Sequence, residues 1–300
     1  MRVFSNMVPD ILADMQQTQS ALNVALQQVS TGKSVSIPSD NPSASADMVQ
    51  NTIESANVDQ YTQNISSVLA TVESANSALS SVVTSVTQAV SLGTEGANGT
   101  NNSTSLATLA TQVQGILSDV ISDANTAVSG TYIFGGTVTD TAPYTADSSS
   151  STGYTYNGNN DSNSVAIGDN LNVQVNLPGS QIFSNSTNNV IGALSSLVTA
   201  LQSGNSSQIE SATTTVNSTI NYLSQQEGFY SNAENQLNSQ ETYLKQDTVT
   251  LTTQATNLVG IDEATAATNL SEAETANSAA LAAAAKVLPD SLLNYLSTPS

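Results

Sequence analysis

The 300 residues contain no cysteine, no histidine and no tryptophan, and lysine and arginine together number four. Each lack removes a class of chemistry. Without cysteine there is no disulfide, no thiolate metal site and no thiol nucleophile. Four cations against 24 carboxylates leave a net charge of −20. Phosphate backbones need clustered cations, so nucleic-acid binding is excluded. An anionic membrane surface repels the chain for the same reason. Charged residues make up only 9% of the chain, against about 25% in ordinary globular domains. Serine, threonine, asparagine and glutamine take their place.

Long apolar runs are also missing. The longest lies near "AALAAAAKVL" (279–288), far short of the roughly 20 residues of a membrane span. At the amino end, Pro9, Asp10 and Asp14 interrupt any signal-peptide core. The expectation is a chain with no anchor and no cleavable signal. If it leaves the cell, it uses another route.

What the chain has is periodicity. Val8, Ile11, Met15, Leu22, Ala25 and Val29, with Thr18 as the polar member, step by threes and fours. That spacing predicts a helix over about 5–31 with an a/d seam. Gly32 is its stop. Pro38 and Pro42 forbid helix through "STGKSVSIPSDNPSAS" (30–45). Asn41 then reads as an N-cap with Pro42 at the first helical position. The stretch 32–41, with Gly32, Lys33, Pro38, Asp40 and Pro42, is therefore a polar elbow between two helices. Lys33 has two readings: a solvated cation suited to a helix C-terminus, or a contact residue of the elbow.

The second helix carries Val58, Ile65, Val72, Leu79 and Val86 at intervals of seven. "GTEGANGTNNSTS" (93–105) reads as a loop by composition. A third helix with Leu106, Leu109, Val113, Ile116 and Val120 on one face returns antiparallel. From residue 131 the period changes. Tyr132-Ile133-Phe134 is strand-like. Leu171, Val173, Val175 and Leu177 alternate with polar residues, and Gln181-Ile182-Phe183 reads as a last short strand. The oxygen-rich loop "NGNNDSNS" (157–164) lacks the ligand order of a calcium loop, so no metal is assigned.

Helical spacing returns at 190–201. Ile209, Val216, Leu223, Tyr230, Leu237, Leu244, Leu251 and Leu258 then repeat at strict intervals of seven. A stripe that narrow cannot hold a long helix alone. The alanine-rich end places Leu270, Leu281, Ala284 and Leu288 on one side. Pro289 reads as a break before Leu292, Leu293, Tyr295 and Leu296. Alanine favours helix but buries little.

The expected fold is mainly α: a long antiparallel helical bundle or coiled-coil rod with a small β-rich insert. Residues 1–41 and 264–300 are terminal coiled-coil segments, 42–130 and 188–263 the helical rod, and 131–187 the insert. The terminal faces have no partner surface except the opposite terminus and other copies. Val8, Ile11, Met15, Leu22, Val29, Leu270, Leu281, Leu288 and Leu292 are therefore the candidate assembly residues.

"QQVSTGKSVSIPSDNPSASADMV" resembles the amino-terminal signature of flagellin-like axial proteins of the bacterial flagellum. The ends "MRVFSNMV" and "DSLLNYL", with "GTYIFGG" and "LPGSQIF" between, are more similar to the hook–filament junction members than to flagellin itself. The resemblance covers the chain in order and is thin over 140–180. It implies an extracellular structural subunit, exported unfolded through the flagellar type III channel without signal cleavage. It implies terminal segments that fold into coiled coils on assembly. It further implies a ring of copies between hook-associated protein 1 and the first flagellins, and a cytoplasmic export chaperone covering the carboxy-terminal helix. The scarcity of cations in the outer helices departs from the family and weakens any transfer of its salt bridges. A short flagellin is the alternative, and a surface adhesin or injection-apparatus tip protein another, with 131–187 as its binding surface. Carboxylate-pair hydrolysis stays chemically open, but nothing marks two acids as a pair, and catalysis is not expected. No cofactor is implied.

Overall fold

The computed structural model describes residues 7–296. Helix α1 (Met7–Thr31) is followed by α2 (Pro42–Ala97) and α3 (Ser103–Ala124). Six short strands come next: β1 (Ala127–Val128), β2 (Thr131–Tyr132), β3 (Tyr144–Ala146), β4 (Tyr154–Tyr156), β5 (Ser164–Gly168) and β6 (Leu171–Gln174). The chain closes with α4 (Gly179–Ile182), α5 (Val190–Ser203), α6 (Ser206–Val259) and α7 (Glu263–Leu296). It forms two compact units, one from Met1–Asn57 with Asp247–Ser300 and one from Val58–Gln246. The mainly helical fold with a β-containing insert is the one the periodicities lead to.

The Val58–Gln246 unit is built on its heptads. Val58, Ile65, Val72, Leu79 and Val86 of α2 are buried, as are Ile209, Val216, Leu223, Tyr230, Leu237 and Leu244 of α6. One residue per two turns is too narrow a stripe for a stable pair, and further helices widen it. Helix α3 returns antiparallel beside α2, with Asp123 bonded to Ser81 at one end and Leu109 beside Gly96 at the other. Helix α5 packs against α3 and contributes Ile191, Leu194, Leu197 and Leu201, all essentially without solvent contact. Asn102 caps α3 and Asn189 caps α5, each accepting a backbone N–H at 2.8 Å.

Three expectations are corrected. The loop 93–105 is shorter: α2 continues to Ala97 and only residues 98–102 connect it to α3. Gly93 and Gly96 are close-approach positions rather than breakers. A Cβ on Gly93 would collide with Thr213 Oγ1, and one on Gly96 with Leu201 Cδ2. The run at 181–183 is a helical turn, not a strand, because Pro178 starts it from an extended backbone and Phe183 N–H closes onto Gly179 O at 2.8 Å. Pro289 does not end α7, which continues to Leu296. The fixed φ of proline is close to helical, so the ring forfeits one hydrogen bond without ending the helix.

The strands pair as three separate antiparallel hairpins, β1–β2, β3–β4 and β5–β6. None buries a face by itself, and two-stranded ribbons are marginal alone. An aromatic cluster holds them. Phe134 meets Phe183 and Tyr230 edge-on at 5.3 and 6.2 Å, and Tyr144 meets Phe183 at 6.1 Å. Tyr230, fully buried on α6, accepts the Leu177 N–H at 2.9 Å. Tyr144 donates to Gly179 O at 2.9 Å. On α2, Tyr61 donates to Asp169 and Asn64 to Ala166 O, both at 2.8 Å, docking the β5–β6 hairpin. The insert therefore shares its core with α6.

Burial pushes the Tyr144 and Tyr230 hydroxyls well above the usual tyrosine range. The folded state thus holds these protons more tightly than the unfolded chain. Their contribution is complete below the unfolded value of about 10 and is lost as pH rises above it. Urea midpoints should be flat from neutral pH up to about pH 9 and fall beyond about pH 10. Tyr230→Phe should weaken that fall and cost about 1–3 kcal/mol at neutral pH, because Leu177 N–H loses its buried acceptor. An unchanged alkaline profile would remove Tyr230 from this role.

Candidate functional site

The unit made from the two chain ends has a different interior. Its buried apolar side chains are Ala25, Ala44, Leu251, Val259, Ala266, Ala273 and Ala284. Five of those seven are alanine, so burial there removes little area from water. Many of its large apolar side chains lie outside instead. Of eleven left exposed among the described residues, nine belong to this unit: Leu12, Val24, Leu26, Val29, Ile37, Val49, Ile53, Val249 and Leu281. Isolated exposed apolar residues are unremarkable, but their concentration in one unit marks an interaction surface.

Helices α1 and α7 pack side by side. On α1 the inner face carries Ile11, Met15, Thr18, Leu22 and Ala25, half-buried or buried. On α7 it carries Ala266, Leu270, Ala273, Asn277, Ala280 and Ala284, at steps of four and three. Thr18 reaches Asn277 Oδ1 at 3.5 Å, a polar layer in the seam. Val29 and Leu281 depart from the expected seam, at 44% and 49% exposure. Leu281 falls one position past Ala280 in the heptad, and Val29 lies in the last turn of α1. Val8, Leu288 and Leu292 have side chains outside the described residues.

The elbow is built as its residues dictate. Gly32 takes φ +67°, a conformation that suits glycine, and its N–H closes onto Gln28 O at 2.9 Å. Pro38 sits second in a turn closed by Asp40 N–H to Ile37 O at 3.0 Å. The Asp40 carboxylate accepts the N–H groups of Ser36 and Ile37 at 3.0 and 3.1 Å. Asn41 accepts from Ala44 N–H at 3.1 Å, with Pro42 opening α2. Lys33 is exposed, and its backbone bridges to Gly260.

That bridge belongs to a second joint that periodicity did not reveal. Between α6 and α7 the chain breaks at Gly260, and Asp262 caps the restart through Thr265 N–H at 3.0 Å. The two joints exchange backbone hydrogen bonds. Ser34 N–H donates to Val259 O at 2.7 Å, and Ile261 N–H donates to Gly32 O at 3.1 Å. A Cβ on Gly260 would collide with the Thr256 carbonyl. Asn51, buried on α2, donates to Leu251 O at 3.0 Å, tying the helices beside the joints. "GIDEAT" (260–265) has the same glycine stop and side-chain cap as the elbow, which is the signal that marks this joint.

Among the described residues no group of carboxylates is placed to hold a metal, and no helix is long and apolar enough to cross a membrane.

Comparison with known proteins places this arrangement. Residues 6–139 match the model of the bacterial flagellin N-terminal helical region, and 213–296 that of the bacterial flagellin C-terminal helical region. No curated protein matches the chain. Among solved structures, a protein of Vibrio parahaemolyticus assigned as a flagellar hook-associated protein is similar at TM-score 0.66 and 20% identity, over 74% of this chain and 100% of that one. Bacillus cereus FlgL is similar at 0.60 and 21%, over 69% of this chain and 99% of its own. The flagellar junction protein FlgL of Legionella pneumophila is similar at 0.59 and 14%, over 71% and 100%. At these identities the shared property is the fold.

Asp262→Ala should remove the α7 cap, at about 1 kcal/mol. Limited proteolysis should then cut faster between α6 and α7, and Asp262→Asn should restore resistance. Equal cutting of all three chains would mean that the cap does not hold the joint.

Proposed function

Because the chain belongs to the bacterial flagellin family, we propose that it is a structural subunit of the extracellular flagellum, forming the hook–filament junction on which flagellin polymerises. The observation that carries this reading is the division of apolar surface. The Val58–Gln246 unit has a filled core, whereas the terminal unit buries mainly alanine, with Leu251 and Val259, and leaves nine large apolar side chains exposed among the described residues. A surface of that kind is completed by other molecules. The likeness to proteins solved as junction proteins favours the junction over the filament. The assembly residues are those of the terminal helices, Val8, Ile11, Met15, Leu22, Val29, Leu270, Leu281, Leu288 and Leu292. Ile11, Met15, Leu22 and Leu270 bind the opposite terminus, and Val29 and Leu281 face outward. The elbow residues Gly32, Lys33, Pro38, Asp40 and Pro42 join α1 to α2 within this terminal unit.

The partners in this reading are further copies in a ring, hook-associated protein 1 on one side and flagellin on the other. A cytoplasmic export chaperone covers the carboxy-terminal helix before export. The role is assembly and not catalysis. The division of labour assigns 1–41 and 264–300 to polymerisation, 42–130 and 188–263 to the body, and 131–187 to the insert on it.

Deleting the gene, imaging the cells by electron microscopy and assaying flagellin in the medium tests the reading. Hooks without filaments, with unpolymerised flagellin outside the cell, are the expected result. Bare hooks with no other flagellin produced would make this chain the filament subunit instead.

Charge sets a second expectation. Copies carrying −20 with four cations each repel when they are brought side by side, and salt screens that repulsion. Raising NaCl from about 50 mM to about 500 mM, which shortens the screening length several-fold in ångströms, should lower the protein concentration needed for assembly. Assembly weakened by salt would mean that ion pairs hold the contact.

A further inference from the structure

Glycine follows asparagine at two places in the chain, Asn98-Gly99 and Asn157-Gly158. That pair of residues carries a reaction of its own. The backbone nitrogen after an asparagine can attack the side-chain amide carbon. Glycine, with no Cβ and a permissive backbone, opposes the approach least. The C–N bond that forms closes a cyclic imide, and the side-chain nitrogen leaves as ammonia. Water then opens the ring at either carbonyl. One opening leaves aspartate; the other reroutes the chain through the side chain and leaves isoaspartate. No oxidant and no catalyst are needed. The requirement is conformational, because the side chain must swing over the next backbone nitrogen.

The two sites differ in how firmly that motion is blocked. Asn157 is held through backbone and side chain. Its backbone N–H donates to Pro143 O at 2.8 Å, and its side-chain amide donates to Thr145 Oγ1 at 2.9 Å and to Ala142 O at 3.3 Å. The residues after it are held as well. Asn159 N–H donates to Gly135 O at 3.1 Å, and the Tyr156 hydroxyl lies between Phe134 O and Asn159 O at 3.0 and 2.9 Å. Gly158 approaches that hydroxyl and Gly135 O so closely that a Cβ would collide with both. Closing the imide there means breaking the bonds that tie the loop after β4 to the residues around β3.

Asn98 opens the connection between α2 and α3 and is exposed, as are Gly99 and Thr100. Its side-chain amide has no hydrogen-bond partner in the protein, and neither has the Gly99 N–H whose nitrogen would attack it. The bonds that Asn98 does make are long. Its N–H reaches Glu95 O at 3.2 Å, and its carbonyl accepts Asn101 N–H at 3.2 Å and Asn101 Nδ2 at 3.3 Å. The short bond of this turn, Asn101 Nδ2 to Glu95 O at 2.6 Å, bypasses Asn98. A Cβ on Gly99 would meet nothing within 4 Å, so no neighbour restrains the attacking residue. Nucleophile and target are adjacent, solvated and able to turn toward each other.

We propose that Asn98 is a site of spontaneous deamidation, so that the α2–α3 connection acquires aspartate and isoaspartate as the folded protein ages, while Asn157 keeps its amide. Each event adds one negative charge to a chain already at −20. The charge falls one residue past the end of α2, where the helix dipole disfavours an anion. The isoaspartyl product also lengthens the backbone of the short 98–102 connection by a methylene group. The inference does not depend on the assembly reading above.

The full-length folded protein is kept at mildly alkaline pH and sampled over days, beside the same protein unfolded in urea. Peptide mass spectrometry follows each amide as it becomes a carboxylate, and an isoaspartyl methyltransferase labels the isomer. In the folded chain Asn98 should convert at least about tenfold faster than Asn157, which must open locally before it reacts. In urea the two rates should converge, since both residues precede glycine. Gly99→Ala should slow conversion at Asn98 severalfold with helix content unchanged, because the added methyl group meets only solvent yet hinders the attack. An Asn98 as stable as Asn157 in the folded chain, or more stable, overturns the inference. So does an Asn98 rate unchanged by Gly99→Ala, which would mean that the Gly99 nitrogen is not the nucleophile.

Discussion

The width of one apolar stripe governs this molecule. Helix α6 repeats a single large apolar residue every seven positions, from Ile209 to Leu251, and the positions between are mostly polar. One residue per two turns fixes a direction of burial but supplies too little area to hold a 54-residue helix in place. Everything packed along α6 compensates for that deficit. Between Val58 and Gln246 the compensation comes from the same chain: α2 antiparallel to α6, α3 and α5 filling one end, and the aromatic cluster around Tyr230 drawing in the hairpins. Gly93 and Gly96 allow the close approach there, since side chains at those positions would occupy the space taken by Thr213 and Leu201.

In the unit formed by the two ends the chain supplies no such filling. The seam between α1 and α7 is largely alanine on the α7 side, with a Thr18–Asn277 layer across it. The order that exists there is carried by hydrogen bonds at the joints. Residues 32–34 and 259–261 exchange backbone bonds, and Asp40, Asn41 and Asp262 each satisfy N–H groups that a helix end or turn would otherwise leave open. Such bonds position two helices without burying much surface. In the assembly reading proposed above, the apolar area left outside the monomer is the area available for burial between copies.

The chain carries a net charge of −20, which opposes association, and its charges are sparse throughout. The insert plays a separate part. Its hairpins are docked by Tyr61, Asn64 and Tyr230 onto α2 and α6, so it is held by the body rather than by a core of its own.

Much of this was legible in the residues. The heptads of α2 and α6, the elbow at Gly32 with its Asn41-Pro42 restart, and the change of period after residue 130 each depend on local spacing, which a linear chain displays directly. The family signature at the termini lies in the same stretches. Other features depended on partners distant in sequence. Gly93 and Gly96 read as a loop because glycine as a breaker and glycine as a contact point look alike until the neighbouring helix is known. Gln181-Ile182-Phe183 read as a strand because three apolar-rich residues carry no period. Val29 and Leu281 satisfy the expected spacing, yet stand outside a seam made of alanine. The pairing of the two joints links residues more than 200 positions apart, and no local pattern encodes it. The sequence determined which segments are helical and which of their faces are apolar, because backbone preference and side-chain periodicity are local. Only the tertiary structure decided which apolar faces are satisfied within the chain and which are left for another molecule, because burial belongs to a pair of surfaces and not to either one alone.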